Sequence, residues 1–306
     1  MKPIHVVVVC VLAAICVPWA LHGRYVFHVA TLVALTIPMA LSLNLMLRLG
    51  QLTLAQPAFM GIGAYGSALL AARVGVPTTA AVLVGGVIAA LFAAAVGPIF
   101  LRIKGVFFVL LTFSFSQIVN LIFQEWSSLT GGNGGLYGLP KLSILGLQIT
   151  TPNAMYPVAL LFALLVFAVM IAMERSAIGA IFGGLNEDEM MSRSFGSNAL
   201  SWRVAAFTFS GFIAGVSGGL YAFYIGYLSP EAFGLRQTIS LIVINSIGGA
   251  TSALGPLLGT ILVVPLPEFL RDAQQYQQLS YGICLILFLK FMRRGLVSLV
   301  EVRGNA

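Results

Sequence analysis

The sequence is a succession of long apolar runs separated by short polar segments, and this feature restricts the fold more than any motif does. Eight or more of the runs are long enough to cross a membrane hydrocarbon core of about 30 Å. The runs are continuously apolar and do not alternate as the strands of a membrane β-barrel do. Charged residues make up 8% of the chain, against roughly a quarter in a soluble domain. The predicted fold class is therefore an all-α polytopic membrane protein.

The apolar runs predict eight to ten transmembrane helices within one membrane domain that covers residues 1–306, and we favour ten. The first run is interpreted as a span rather than a signal peptide, because no small-x-small cleavage site follows it cleanly. The eighth and ninth runs are short and rich in Gly and Pro, which leaves the lower counts open. The predicted spans are approximately 4–21, 26–47, 53–72, 78–101, 106–123, 155–173, 204–228, 238–252, 256–270 and 279–292.

The basic residues indicate which side of the membrane each loop faces, because Lys and Arg collect in cytoplasmic loops. With ten spans and a cytoplasmic N-terminus, eleven of the sixteen basic residues lie on the cytoplasmic side and five on the other. Both termini are therefore predicted to be cytoplasmic, with the polar loop 174–203 inside and the Gly-rich loop 124–154 outside. The same distribution accounts for the net charge of +7. Since no nucleic-acid-reading motif occurs, we expect no nucleic-acid partner.

The chain lacks the residue sets that catalysis or metal binding would need. All three histidines lie near the N-terminus, so neither a Ser-His-Asp set nor an HExxH motif can be assembled. The three cysteines lie in apolar runs without metal-binding spacing. No Asp, Glu, Lys or Arg lies well inside a span, and such residues commonly mark proton relays. We expect no catalytic residue, metal or cofactor, and we disfavour proton-coupled transport; a sodium-coupled carrier, which can use carbonyls and hydroxyls, stays open.

Two stretches rich in Gly and Pro, 50–66 and 245–260, interrupt the apolar runs, one in each half of the chain. Pro57 is expected to break the helical ladder in the first stretch, since proline has no N–H group. Each stretch is either a tightly packed Gly-rich helix or a broken helix beside a translocation path, as in transporters built from related halves. Neutral polar residues in or near these stretches and in the run 106–123 either line the path or bond to neighbouring helices. They are Asn44, Gln51, Thr53, Gln56, Ser116, Asn120 and Asn245.

The predicted external loop 124–154 contains the sequence TGGNGGLYGLP. Its glycines permit tight backbone turns. It lacks the Gly-Lys-Ser/Thr ending of a P-loop, so we expect no phosphate site there. The loop is either a docking or gating element or a plain connector.

Several stretches together resemble one family over nearly the whole chain, in their order and spacing. The chain is similar to a permease subunit of a bacterial branched-chain amino acid ABC importer. The matching stretches are SLNLMLRLGQLTLAQPAFMGIGAY (42–65), LRIKGVFFVLLTFSFSQIV (101–119), LTGGNGGLYGLP (129–140), GLYAFYIGYLSPEAF (219–233) and GGATSALGPLLGT (248–260). The chain departs from the family at Gln56-Pro57, where members often have Gly-His.

The resemblance implies a subunit of a larger assembly in the bacterial inner membrane, in contact with membrane lipid. A second permease, often a non-identical paralogue, would complete the path, two cytoplasmic ABC ATPases would drive it, and a periplasmic binding protein would deliver the substrate. Consistent with this, the chain has no Walker A motif of its own. The implied substrates are branched-chain amino acids. Other amino acids, urea and short amides, or an ion-coupled secondary carrier, are the alternatives.

The resemblance also implies that a cytoplasmic coupling helix near residues 186–196 contacts the ATPase. Family members usually carry Arg-Glu-Asn-Glu there, and in this chain Asn186 stands where the Arg is expected. The acidic residues 187–189 are expected in the first turn of a helix, where they favour the helix dipole, with Asn186 as a possible N-cap. The predicted contact residues are Asn186, Glu187, Asp188, Glu189, Arg193 and Gly196.

Overall fold

The computed structural model of the chain describes residues 23–144, 147–149, 151–187, 198–269 and 282. Two predicted spans therefore lie outside the described residues: 4–21, and 279–292 apart from Gly282. Four of the predicted coupling residues also lie outside them, namely Asp188, Glu189, Arg193 and Gly196.

The described residues are mainly helical. The helices are α1 Arg24–Leu47, α2 Gln56–Leu69, α3 Thr78–Phe100, α4 Val106–Glu125, α5 Ser127–Thr130, α6 Pro152–Arg175, α7 Ala177–Glu187, α8 Ala199–Ile225, α9 Leu235–Gly248, α10 Leu254–Val263 and α11 Pro265–Phe269. A π-helical turn, Leu70–Val74, extends α2, and two short 3-10 helices occupy Gly132–Gly134 and Pro230–Phe233. The strands are β1 Leu136–Tyr137, β2 Ser143–Ile144, β3 Leu147–Gln148 and β4 Tyr227–Leu228.

Five of the helices, α1, α3, α4, α6 and α8, are long and apolar enough to cross a membrane. They correspond to five predicted spans, and the predicted class of helical polytopic membrane protein is confirmed. The chain is an integral membrane protein. Three predicted spans have a different form. The span 53–72 is a shorter helix with a π-helical turn, 238–252 contains the short helix α9, and 256–270 contains the short helices α10 and α11.

Helices α1, α3 and α6 run in one direction and α4 and α8 in the other, so their termini gather at two opposite ends of the molecule. At the loop end, formed by residues 126–144, 147–149 and 226–234, β1 pairs antiparallel with β4 and β2 with β3. At the α7 end, formed by residues 48–50, 174–187 and 249–253, α7 follows α6 directly. The two ends hold the segments that the basic-residue count assigned to opposite sides of the membrane.

Glycines allow α2, α3 and α8 to pack against one another with their backbones in close contact. A methyl group on Gly63 of α2 would overlap the backbone of Gly215 in α8, and one on Gly218 would overlap the carbonyl of Met60. A methyl group on Gly85 of α3 would overlap the carbonyl of Gly63. The glycines of α2 therefore have the helix-packing role that was one of the two interpretations of this stretch.

The break in the first Gly- and Pro-rich stretch lies before Pro57 and not at it. Residues 51–55 are non-helical, and α2 begins at Gln56 with Pro57 in its first turn. The expectation that Pro57 breaks a helical ladder is wrong, because an N–H group in the first turn has no intrahelical acceptor and its loss costs nothing there. The proline starts α2.

The second stretch forms a hairpin of two short helices, α9 and α10, joined by the turn 249–253. Methyl groups on Gly248, Gly255 or Gly259 would overlap backbone atoms of the hairpin itself. The turn begins at Gly249, whose φ of 104° favours glycine. Because its two helices touch through their backbones, the hairpin is a closely packed unit.

Candidate functional site

The non-helical segment 51–55 passes through the protein interior, and several of its N–H groups have acceptors there. Gln51 and Thr53 are 6% and 1% exposed. The N–H of Leu54 donates to Thr112 Oγ1 on α4 at 3.1 Å, and the N–H of Ala55 donates to Thr53 Oγ1 at 3.2 Å. Irregular backbone at membrane depth requires partners of this kind. Thr112 of α4, which was not among the candidate residues, supplies the acceptor for Leu54.

Gln56 joins three helices through its side-chain amide. Ser42 Oγ of α1 donates to Gln56 Oε1 at 3.2 Å, and Gln56 Nε2 donates to Ser210 Oγ of α8 at 3.2 Å. All three side chains are buried. Buried polar groups that are paired in this way stabilise one arrangement of the helices, because a change of partner would leave a donor or acceptor unsatisfied.

Asn44 and Asn245 connect α1 with the α9–α10 hairpin. Asn44 Nδ2 donates to the carbonyl of Ala250 at 3.1 Å. Asn245 Nδ2 donates to the carbonyls of Ala40 at 3.1 Å and of Leu241 at 3.0 Å. Both asparagines are buried. The hairpin is thus held to α1 by side-chain amides.

Ser116 and Asn120 share one face of α4 and are both buried. Asn120 Nδ2 donates to the carbonyl of Pro230 at 2.6 Å, and its Oδ1 accepts from Gln124 Nε2 at 2.6 Å. Four of the seven candidate path residues, Asn44, Gln56, Asn120 and Asn245, thus bond to other elements of the fold. These bonds favour the interhelical role for those four, and a role of the seven in the path stays a prediction.

At the α7 end, a cavity of about 270 Å³ opens between α1, α6, α7 and the turn of the hairpin. Its polar wall contains an ion pair between Arg48 and Glu174, with Arg48 Nη2 3.1 Å from Glu174 Oε2. The same carboxylate oxygen accepts from the N–H of Ala253 at 3.5 Å. One carboxylate therefore connects the end of α1, the end of α6 and the beginning of α10. The two residues are 126 positions apart in the chain, and only the fold brings them together.

The helix α7 is packed onto the membrane helices at this end. Phe182 and Leu185 are 5% and 3% exposed, and the rings of Phe182 and Trp202 meet edge to face with centroids 6.3 Å apart. Asn186 lies beside Gly50, where an added methyl group would be 2.6 Å from Asn186 Oδ1. The fold thus connects α7 to the segment that follows α1.

Two details of the coupling loop differ from the sequence analysis. Asn186 and Glu187 lie in the helix that begins at Ala177, so the proposed N-cap role of Asn186 is wrong. Arg203, counted as a loop residue, lies inside α8 and is 5% exposed. The other predicted contact residues lie in the part of the chain that is not described, and their role stays a prediction.

At the loop end, the predicted external loop is built onto α8 through the β1–β4 pair. The stacked rings of Tyr137 and Tyr227 have centroids 4.4 Å apart. A side-chain hydrogen bond with Tyr227 raises the pKa of the exposed Tyr137. A second cavity, of about 370 Å³, lies beside this surface, with His28 Nδ1 2.6 Å from the hydroxyl of Tyr224 in its wall.

Within the described residues, no group of three or more His, Cys, Asp or Glu side chains could hold a metal ion. The arrangement is one of helices held together by buried amides and hydroxyls, with charged groups at the ends.

Comparisons with known proteins identify the family. A family model described as "Branched-chain amino acid transport system / permease component" matches residues 25–292. The chain is 29% identical to the high-affinity branched-chain amino acid transport system permease protein LivM of Escherichia coli (strain K12), over 95% of this chain and 74% of that protein. It is 28% identical, with the same coverage, to LivM of Salmonella typhimurium (strain LT2).

A more distant relative is the autoinducer 2 import system permease protein LsrC of Yersinia enterocolitica. It is 27% identical over 46% of this chain and 40% of that protein. No solved structure matches the chain.

Proposed function

Because this chain belongs to the branched-chain amino acid transport permease family, we propose that it is a permease subunit of an ABC importer. In this role it carries branched-chain amino acids across the bacterial inner membrane into the cytoplasm. The observation that carries the proposal is the likeness to LivM, which extends over 95% of the chain. The protein is a transport component, and the proposed import needs no catalytic residue in it.

The energy for import comes from two separate cytoplasmic ABC ATPases. The chain has no Walker A motif. Its candidate contact with an ATPase is the α7 end, where α7 leads into residues 186–196. The charge distribution supports this orientation, with the α7 end and both termini in the cytoplasm.

A second permease, a non-identical paralogue, completes the translocation path. Large apolar side chains on α3, α4 and α6 are exposed; Leu91, Phe107 and Leu161 are 64%, 74% and 68% exposed. Apolar faces of this size are covered by lipid or by another membrane helix. The second permease occupies part of this surface, and membrane lipid covers the rest.

A periplasmic binding protein delivers the substrate at the loop end. The loop 124–154 reaches this surface and is attached to α8 through the β1–β4 pair. The buried polar groups near the helix breaks are neutral amides and hydroxyls, which suits a zwitterion better than an ion of net charge. Urea, short amides and other amino acids are the alternative substrates, and the name of LsrC associates one relative with autoinducer 2 import.

The proposal is tested by reconstituting the chain in proteoliposomes with the second permease, ATPases and binding protein of its own genome. We expect ATP-dependent uptake of leucine, isoleucine and valine. Deletion of 184–196 should abolish uptake and leave membrane insertion intact. The control is Gly183→Ala, whose added methyl group has no atom within 4 Å, and this variant should preserve both insertion and uptake.

The outcomes separate the alternatives. Uptake that persists without ATP, or after the deletion, would indicate an ion-coupled carrier. ATP-dependent uptake of urea, acetamide or autoinducer 2 without uptake of leucine would support the assignment as an ABC importer and contradict the proposed substrate.

A further inference from the structure

One face of α1 carries three successive contacts toward the α9–α10 hairpin. The contacts start from Ala40, Asn44 and Arg48, which are four residues apart and therefore lie on one side of the helix. The carbonyl of Ala40 accepts from Asn245, and Asn44 donates to the carbonyl of Ala250, both at 3.1 Å. Helix α1 thus holds α9 and the turn directly with the first two contacts.

The third contact differs from the other two because it passes through another helix. Arg48 bonds to Glu174 Oε2 at 3.1 Å, and the same oxygen lies 3.5 Å from the N–H of Ala253, the residue that precedes α10. The negative charge is favourable there because the N-terminus of a helix carries partial positive charge. Glu174 lies in the last turn of α6, two residues before Ser176, which links α6 to α7.

The carboxylate of Glu174 therefore lies between two parts of the protein, the α9–α10 hairpin and α7. One is the hairpin, whose helices are joined by glycine contacts that leave no room for a methyl group. The other is α7, which follows Glu174 in the chain and also touches the end of α1, where Asn186 lies beside Gly50. A displacement of α7 would therefore move the carboxylate in two ways. It would pull on Glu174 through the chain, and it would shift Arg48 through the contact of Asn186 with Gly50.

We propose that Glu174 is a positioning residue for transport, whose carboxylate passes displacements of α7 to the α9–α10 hairpin. The inference rests on the proposed function, because only an ATPase-driven importer displaces α7. The side chains of Arg48 and Glu174 are 14% and 34% exposed, and both residues line the cavity at the α7 end. The carboxylate can therefore exchange a protein partner for water from the cavity, which a contact that differs between two states requires.

The test compares Glu174→Gln with the parent in the reconstituted importer, using leucine, the binding protein and ATP. Three quantities are measured: leucine transported per ATP hydrolysed, the amount of assembled complex, and its thermal stability. We expect transport per ATP to fall at least about fivefold, the lower bound of common coupling energies. Assembly and thermal stability should stay at the parent values. Arg48→Gln should act in the same direction, and Arg102→Gln, an exposed cation at the same end, should have no effect.

The charge exchange R48E/E174R separates the ion pair from its contact with α10. It restores an ion pair between α1 and α6 but places a cation at the N-terminus of α10, so we expect transport per ATP to stay low. Full recovery in the exchanged variant would overturn the proposal, since the ion pair alone would then suffice.

Other outcomes would overturn it as clearly. If Glu174→Gln lowers assembly, ATP hydrolysis and uptake in proportion, the residue has a structural role only. Normal uptake by the Glu174→Gln variant would contradict the proposed role of Glu174 but would not contradict the proposed function. Absence of ATP-driven uptake in the parent complex overturns the proposed function, and the role of Glu174 with it.

Discussion

The two Gly- and Pro-rich stretches of this membrane protein have similar composition and different structures. In 50–66, a non-helical segment leads into α2, whose glycines lie against the backbone of α8. In 245–260, a hairpin is closed by its own glycines and attached to α1 by polar side chains. The first stretch is thus part of the packed interior, whereas the second is a unit attached to it.

The difference lies in the kind of contact that each stretch makes with the rest of the protein. Backbone contacts at van der Waals distance allow no displacement without loss of packing. The hydrogen bond of Asn44 to the partly exposed turn can be replaced there by a bond to water at small cost. A Gly-rich composition therefore does not by itself indicate a mobile segment. Whether the segment can move depends on the atoms that its residues contact.

The largest effect is expected for Gly63→Ala in the first stretch. The methyl group would overlap the backbone of Gly215, and two backbones cannot rearrange as a side chain can. We expect a loss of about 3 kcal/mol in the free energy of unfolding, measured by thermal unfolding of the purified protein in detergent. The matched control is Gly183→Ala in α7, where nothing lies within 4 Å. Equal stability of the two variants would contradict close backbone packing.

A smaller effect is expected for Thr112→Val, which preserves shape and removes the hydroxyl that accepts from Leu54. The N–H group of Leu54 would be left without its 3.1 Å partner, at a cost of about 2 kcal/mol. Thr112→Ser, which keeps the hydroxyl, is the control and should retain most of the stability. If the valine variant is as stable as the serine variant, the bond from Leu54 to Thr112 does not fix the segment 51–55 to α4.

Asn44→Ala tests the attachment of the hairpin. It leaves the carbonyl of Ala250 without its protein donor, but Ala250 is exposed and water can take the place of the amide. We expect the free energy of unfolding to fall by about 1 kcal/mol, less than for Thr112→Val in the same unfolding assay. A loss as large as that of Thr112→Val would show that both stretches are equally fixed, and the contrast would fail.

The smallest effect is expected for Pro57→Ala. The proline lies in the first turn of α2, so its replacement restores no helical hydrogen bond and mainly increases the freedom of the unfolded chain. We expect a loss of about 0.5 kcal/mol. A gain in stability in the unfolding assay would instead support a helix interrupted at Pro57.

The sequence predicted the existence of the spans better than the nature of their breaks. The runs 26–47, 78–101, 106–123, 155–173 and 204–228 became long helices because a continuous apolar run of that length has few other solutions in a membrane. Pro57 was misplaced because proline has opposite effects inside a helix and at its start. Only the position of the first helical residue distinguishes them, and element boundaries are poorly determined by sequence patterns.

The candidate site was predictable by residue type but not by contact. Gln56, Asn44 and Asn245 were selected as neutral polar residues in apolar surroundings, and they are buried. Their partners were not predictable, because Gln56 and Ser210 are 154 residues apart in the chain and Asn44 and Ala250 are 206 apart. Ser116 is buried as well, although its selection rested only on its place on the polar face of α4.

The sequence by itself determined that this chain is a helical membrane protein of a permease family, because hydrophobicity and local motifs are properties of neighbouring residues. The tertiary structure decided which glycines are packed, where the first helix break lies, and that Arg48 and Glu174 form an ion pair across 126 positions. Those features depend on which helices become neighbours. Apolar helices pack in many arrangements of similar hydrophobic energy, and only close packing and specific polar contacts select one of them.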